Sequence, residues 1–577
     1  MRVLIARLLL AATPLAPTPL LAQRVPVEGR HGMVSSAHHL ASAAGIEVMR
    51  AGGNAVDAAV ATGFALAVVF PRAGNLGGGG FMIVHTSGGA DVALDFREVA
   101  PLAATATLFQ DEAGNVVPGR SLEGYLANGV PGTVAGLGHA WERYGSGNLS
   151  WHDVLEPARR LAAEGFEVSD DMAQGLRASQ ALLGSFPTSA TLFLRDGDFY
   201  AAGERFVQPD LAATLARLQA EGAAEFYHGH TADLIADDQA AHGGLITRAD
   251  LAAYAVVERT PIRTTYRGYD IVAMPPPSSG GIALQQMLGM LEPHDLRGLG
   301  LHSAAYIHVV TEAMRRAFRD RAEFLGDPAF TPVPTDRLTD ADYIAGMMTS
   351  FDPVRATLSD TLGPGGMIAA ESFDTTHFSV VDADGNAASC TYTLNGLYGN
   401  GVTVPGAGFL LNNEMDDFTA KVGVKNFYGL LQGEANAVAP GKRPLSSMTP
   451  TIVLRDGRPF LLAGAPGGPT IITSVLQVLL NVIDFEMPLV LAVDAPRFHH
   501  QWQPDQIYHE PFLASPDTFQ LLEAMGHTLA LRRLYPNQIA AAARYFGDAQ
   551  CILVEPESGL LLGVNDTRSQ SAGAVGF

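Results

Sequence analysis

Thr375-Thr376-His377-Phe378-Ser379-Val380-Val381, then Asp384-Gly385, then Ala388-Ser389-Cys390-Thr391-Tyr392-Thr393-Leu394 reads as two β-strands joined by a tight turn. β-Branched and aromatic residues suit a pleated strand, and Asp-Gly supplies the positive φ that a hairpin turn needs. Two similar units follow, 452–454 with 460–463 around Asp456-Gly457 and 552–554 with 560–564 around Ser558-Gly559. Antiparallel strands therefore dominate the C-terminal third. Between them lie an apolar helix over 471–483, entered through Gly467-Gly468-Pro469-Thr470, and another capped by Ser515 and Pro516 and stopped at Gly526.

Toward the N-terminus, small and apolar residues recur at helical spacing from Ser36 through Ala43, Ile46 and Met49, and Gly52-Gly53 closes that helix. A second apolar helix covers 56–69. Gly77-Gly78-Gly79-Gly80 then leads into a hairpin of 81–84 and 92–96 around Ser87-Gly88-Gly89. The middle, about 120–350, reads as mostly helical, interrupted by the loop 275–281 that feeds a helix over 282–291. No repeat of 20–50 residues occurs. Hairpins in two separated regions with helices around them predict an α+β chain folded as a four-layer αββα sandwich.

Residues 1–22 combine a short basic start with an interrupted apolar run and read as a signal peptide cut after Ala22. Prolines at 14, 17 and 19 and the shortness of the run argue against a membrane span. The expected location is periplasmic or secreted, with no stable membrane insertion of the mature form. Losing Arg2 and Arg7 takes the net charge from −22 to −24, a surface that repels phosphate backbones and excludes nucleic acid as a partner. Of the two cysteines, Cys390 and Cys551, export permits one disulfide, and two buried thiols are equally open.

Several motifs lead nowhere. The four-glycine run precedes a strand instead of following one and no Lys-Ser/Thr comes after it, so it is not a phosphate cradle. His499-His500 lacks any completing metal pattern, because adjacent residues point to different sides. No Gly-x-Ser-x-Gly elbow is present. The threonine pair is different in kind. If the Asp374–Thr375 bond breaks, Thr375 gains a free amine beside its own hydroxyl, a base and a nucleophile in one residue. Polar and glycine clusters follow at strand ends, where scaffolds hold binding groups: Thr391-Tyr392-Thr393-Leu394-Asn395, Asn412-Asn413-Glu414-Met415-Asp416-Asp417-Phe418, Lys442-Arg443-Pro444-Leu445-Ser446-Ser447 and Gly464-Ala465-Pro466-Gly467-Gly468.

With Gly32-Met33-Val34 and Gly52-Gly53-Asn54-Ala55 near the start, these motifs make the chain resemble the γ-glutamyltranspeptidases, of the N-terminal-nucleophile hydrolase superfamily, over nearly its whole mature length. The resemblance implies that the precursor cuts itself between Asp374 and Thr375 into a large subunit, 23–374, and a small catalytic subunit, 375–577, which jointly build one αββα unit. It implies that Thr375 is the nucleophile, that Thr393 orients its hydroxyl, and that the amides of Gly467 and Gly468 form an oxyanion hole. Arg97, Ser446 and Ser447 would hold the α-carboxylate of a γ-glutamyl donor, and Asn395, Glu414 and Asp417 its α-ammonium. Residues 421–433 resemble a lid loop, with Tyr428 as its closing side chain. Glu414 stands where some members carry Gln. The implied partners are glutathione and other γ-glutamyl compounds, with water, amino acids or peptides as acceptors, and neither cofactor nor metal is called for. Two rivals stand beside this reading: a cephalosporin-acylase-like amidase of the same fold, and an exported γ-glutamyl peptide-binding protein without turnover.

Overall fold

The computed structural model describes residues 24–195, 198–363, 375–421, 423–424, 433–532 and 546–577. The expected signal peptide, Asp374 and Tyr428 lie outside the described residues. Two seven-stranded antiparallel sheets carry the fold. One runs Gly573–Gly576, Gly32–Ser36, Thr375–Asp382, Ala387–Thr393, Gly79–His85, Asp91–Phe96 and Val257–Arg259. The other runs Val27–Gly29, Leu561–Asn565, Gln550–Val554, Arg458–Ala463, Thr451–Arg455, Tyr269–Ala273 and Ile262–Tyr266. Each sheet takes strands from both sides of residue 375, so the stretches before and after it interleave in both.

The period of two along each strand sorts side chains into layers. Met33, Ile83, Val381 and Ala387 of the first sheet meet Val272, Ile452, Leu454, Leu462 and Ile552 of the second, forming the inner layer. Phe378, Val380, Cys390 and Tyr392 point the other way, onto the helices His39–Arg50, Ala55–Val69 and Trp151–Glu164. The outer face of the second sheet packs on Gly280–Leu291, Ala304–Phe324 and Thr470–Ile483. The resulting order is helix, sheet, sheet, helix, the expected αββα sandwich. Ala55–Val69 is buried along its whole length, which is why its sequence is apolar on every side.

Two expectations change, and the open choice for the cysteines is settled. Ser36 ends the strand Gly32–Ser36, and the helix starts at His39, where the His38 ring accepts the Leu40 amide at 3.3 Å. The middle of the chain contributes strands to both sheets, Val257–Arg259 to one and the hairpin Ile262–Tyr266 with Tyr269–Ala273 to the other. That hairpin turns on Arg267-Gly268, with φ of 50° and 83°, and arginine gives no turn signal in sequence. Cys390 and Cys551 are both free and buried. They sit on the outward, helix-covered faces of different sheets, so both sheets lie between them and no disulfide can form. Among the described residues no helix is long and apolar enough to cross a membrane.

Candidate active site

Strand register places the site. Thr375 opens its strand directly opposite Thr393, which closes the next, and Thr393 in turn faces Gly79. Gly80 faces Phe96, so the chain leaves that strand at the same end with Arg97 as its next residue. In the second sheet, Thr451 faces both Ala463 and Ala273. The segments around 274–281, 444–450 and 464–469 therefore emerge together. Val381 faces the inner layer, so alternation turns Thr375 inward too, into the mouth between the sheets. Residues more than 300 positions apart in sequence meet there. One pocket of about 310 Å³ is lined by Arg97, Arg321, Thr375, Thr393, Asn395, Glu414, Asp417, Ser446, Ser447 and Gly468, with Met448, Pro469 and Ile471 as its less polar wall.

The four glycines beside this mouth have a steric reason. A Cβ on Gly78 would sit 2.0 Å from the Thr393 carbonyl oxygen, and one on Gly79 would sit 2.5 Å from that of Phe96. The backbone packs too closely for any side chain, and this holds Thr393 and Arg97 in place. Thr393 Oγ1 accepts the Asn395 amide at 2.8 Å, while Asn395 itself, at φ 74°, donates its side chain to the Asn413 carbonyl at 3.0 Å. Asn tolerates this left-handed backbone better than most residues. Asn412 ties the next turn down: its Oδ1 accepts from Gly129 and Glu414, at 2.9 and 3.0 Å. The short turn Glu414–Asp417 is thus aimed back at the threonine pair.

Arg97 is buried, so a surface ion pair is excluded. Its guanidinium bonds Glu414 and, at 2.5 Å, Asp417, and its Nε donates to the Pro444 carbonyl at 3.3 Å. The group expected to hold a ligand carboxylate and the groups expected to hold its ammonium are therefore paired with one another. Glu98 is a third buried carboxyl, 3.6 Å from the same guanidinium. Burial pushes Glu98 up to about 7, with Arg97 opposing, and burial together with its acidic neighbours raises Glu414 well above the ordinary range. Arg97 is held above its usual value because the carboxyls outweigh the burial that works against its charge. Three carboxyls, Glu98, Glu414 and Asp417, thus crowd one guanidinium, which favours a proton on the buried glutamates.

Gly467 and Gly468, at φ 130° and 53°, lead into the helix Thr470–Ile483. Their amides donate to no backbone carbonyl among the described residues, and Gly468 borders the pocket. Ser446 and Ser447 are held by the facing loop, where Ser279 donates both its amide, at 2.8 Å, and its hydroxyl, at 2.7 Å, to the Ser446 carbonyl. Behind Thr375 the inward row continues with His377, whose ring bonds Thr391 at 2.8 Å and Ser379 at 3.1 Å and packs on Gly464. Burial lowers His377 to about 3, so it is neutral.

Sequence reading missed Arg321, Glu98 and Asn436. Arg321 looks like one of four arginines on the helix Ala304–Phe324. Asn436 carries no motif, yet it donates to the Asp417 carbonyl at 2.6 Å and accepts the Leu445 amide at 2.9 Å, joining the acidic turn to the serine loop. His499 and His500 are buried and spend their nitrogens on Thr473, Gln501, Asp505 and Trp502. A separate trio, His308, Glu312 and His527, could geometrically hold a cation, but His308 bonds His527 at 2.7 Å and Glu312 is paired with Arg315 and Arg316.

A family model described as gamma-glutamyltranspeptidase matches residues 41–576. A glutathione hydrolase proenzyme of Pseudomonas sp. (strain A14) is 48% identical over 510 residues, 88% of this chain and 88% of that one. An acylase ACY 1 proenzyme of Pseudomonas sp. (strain SE83) is 40% identical over 82% of this chain and 83% of its own. Among solved structures, the cephalosporin acylase from Bacillus halodurans superposes with a TM-score of 0.83 at 26% identity, covering 99% of both chains. Family match, relatives and the threonine pocket agree, and the chain belongs to the γ-glutamyltranspeptidase family.

Proposed function

We propose that this chain is a precursor that cuts itself between Asp374 and Thr375 and then transfers γ-glutamyl groups from glutathione and related compounds to water, amino acids or peptides. The observation that carries the reading is the pocket itself, where a threonine at a strand start shares one small space with a guanidinium, acidic groups and paired serines. A γ-glutamyl group is an acyl chain ending in a carboxylate and an ammonium. The pocket offers both complementary charges at its far side and a nucleophile at its near side.

In the first step the Thr375 hydroxyl attacks the Asp374 carbonyl, the peptide C–N bond breaks to leave an ester and a free Thr375 amine, and water then cleaves the ester to a carboxylate at Asp374 and the restored Thr375 hydroxyl. The pieces 23–374 and 375–577 remain together through the interleaved sheets. A free α-amine has an ordinary pKa of about 7.7–8.0, so a useful fraction is neutral near pH 7 and takes the proton of its own hydroxyl. Thr375 Oγ1 then attacks the γ-carbonyl of the donor. The oxyanion sits on the amides of Gly467 and Gly468, the leaving amine takes the proton, and a γ-glutamyl ester remains. Water or an acceptor amine reverses the sequence. Thr393 orients the hydroxyl from the opposite strand position. Arg97 with Ser446 and Ser447 takes the α-carboxylate, and Asn395, Glu414 and Asp417 take the α-ammonium, so the ligand's own charges exchange with the pairing of Arg97 to Glu414 and Asp417. Tyr428 closes over the donor. The leader directs the chain to the periplasm or beyond.

On a denaturing gel, purified wild type should give two fragments and Thr375→Ala one, with γ-glutamyl anilide turnover present only in the first. A wild-type chain that stays whole after prolonged incubation overturns the proposal and favours a binding protein. The acylase reading has its own support in the relatives named above. Asp417→Ala separates it, because loss of the ammonium partner should collapse γ-glutamyl turnover, whereas unchanged turnover points to an amidase with another acyl group.

A further inference from the structure

We infer that Arg321 is a positioning residue for the carboxylate end of the donor, acting through the hydroxyl of Ser447. This rests on the γ-glutamyl reading and adds to it a residue outside the implied set. Arg321 comes from the helix Ala304–Phe324, on the far side of the second sheet from the nucleophile's strand, yet it is buried and its side chain borders the pocket with Thr375. Its Nη2 donates to Ser447 Oγ at 3.0 Å and its Nε to Ser279 Oγ at 2.9 Å. The guanidinium thus spans the seam between two loops. Ser279 completes the other side, donating its hydroxyl to the Ser446 carbonyl at 2.7 Å.

The chemical consequence follows from hydrogen-bond direction. A guanidinium only donates, so Ser447 Oγ is fixed as an acceptor toward Arg321, and its single proton must point elsewhere. Among the described residues that proton has no acceptor, and the serine borders the pocket. Ser447 is therefore set as a donor into the pocket, with a fixed positive charge directly behind it. The ligand group this suits is a carboxylate. Arg97 alone would serve it less well, because its guanidinium already faces Glu414, Asp417 and Glu98. Arg321 places a second guanidinium on the serine side of the pocket and, with Ser279, holds Ser446 and Ser447 in register.

The test uses processed enzyme and two anilide donors, γ-glutamyl and its counterpart lacking the α-carboxylate, 4-aminobutyryl. Arg321→Gln should raise KM for the γ-glutamyl anilide about tenfold or more with kcat changed far less, and should leave the 4-aminobutyryl anilide nearly unaffected. Ser447→Ala should show the same split. The double variant should lose little beyond Ser447→Ala, because both residues act through one hydroxyl. Should Arg321→Gln fail to process, Arg321→Lys and Ser279→Ala carry the same comparison, since each weakens one arm of the bridge. Equal losses on both donors, or full additivity with Ser447→Ala, would overturn the inference. If wild type turns over only the γ-glutamyl anilide, the KM split and the double-variant cycle decide alone. A wild type that turns over neither donor refutes the γ-glutamyl reading itself, a distinct outcome.

Discussion

Along the hairpin Thr375–Asp382 with Ala387–Thr393, the inward-facing pairs run Thr375 with Thr393, His377 with Thr391, Ser379 with Ser389, and Val381 with Ala387. The last pair belongs to an apolar layer with Met33, Ile452 and Leu462, whereas the first three are polar although equally enclosed. The apolar end is held by burial, worth about 25 cal/mol for each Å² removed from water. The polar end gains little from burial and persists because its groups are satisfied: His377 by Thr391 and Ser379, and Ser379 by the Gln550 carbonyl at 3.0 Å. One end of the sandwich is thus a core and the other a scaffold of directional bonds on which reactive groups can be fixed.

The strongest break of this comparison is Arg97→Met. It leaves Glu98, Glu414 and Asp417 buried without their cation, so about 3–5 kcal/mol of stability should go, together with γ-glutamyl turnover. Denaturant melts and anilide assays check both. Leu462→Ala, at the apolar end, should cost about 2–4 kcal/mol through the cavity it opens, with kcat/KM per folded molecule unchanged. If activity falls in step with no loss of stability, the two ends are not separable. The smallest effect is a pH dependence. The folded Glu98 sits near 7 against an ordinary 4.5, so the native state holds an extra proton between those values. Stability from this group is present below about 4.5 and is lost as pH rises through about 7. Tm of wild type should therefore fall more between pH 5 and pH 8 than that of Glu98→Gln, and parallel curves would contradict a raised Glu98.

Much of the framework was readable because local rules were obeyed. The hairpins around Asp384-Gly385 and Asp456-Gly457 carry ordinary turn residues, and both Asp456 and Gly457 take positive φ. The hairpin around Arg267-Gly268 was missed because its turn places arginine at φ 50°, against propensity, and its outer strand alternates half-exposed and exposed residues. The purpose of the glycine run, close backbone contact beside Thr393 and Phe96, is invisible without the neighbouring strands.

The αββα layering and the threonine at a strand start were legible locally, because periodicity, turn chemistry and residue type are local properties, and the binding groups around that threonine through the family resemblance its motifs carry. The packed fold alone shows that Arg97 faces three carboxyls, that Glu98 and Glu414 crowd the same guanidinium, and that Arg321 reaches Ser447 from a distant helix. Charge state and hydrogen-bond direction depend on which groups meet and how dry their meeting place is. Strands and helices far apart in the chain settle that only once they are packed.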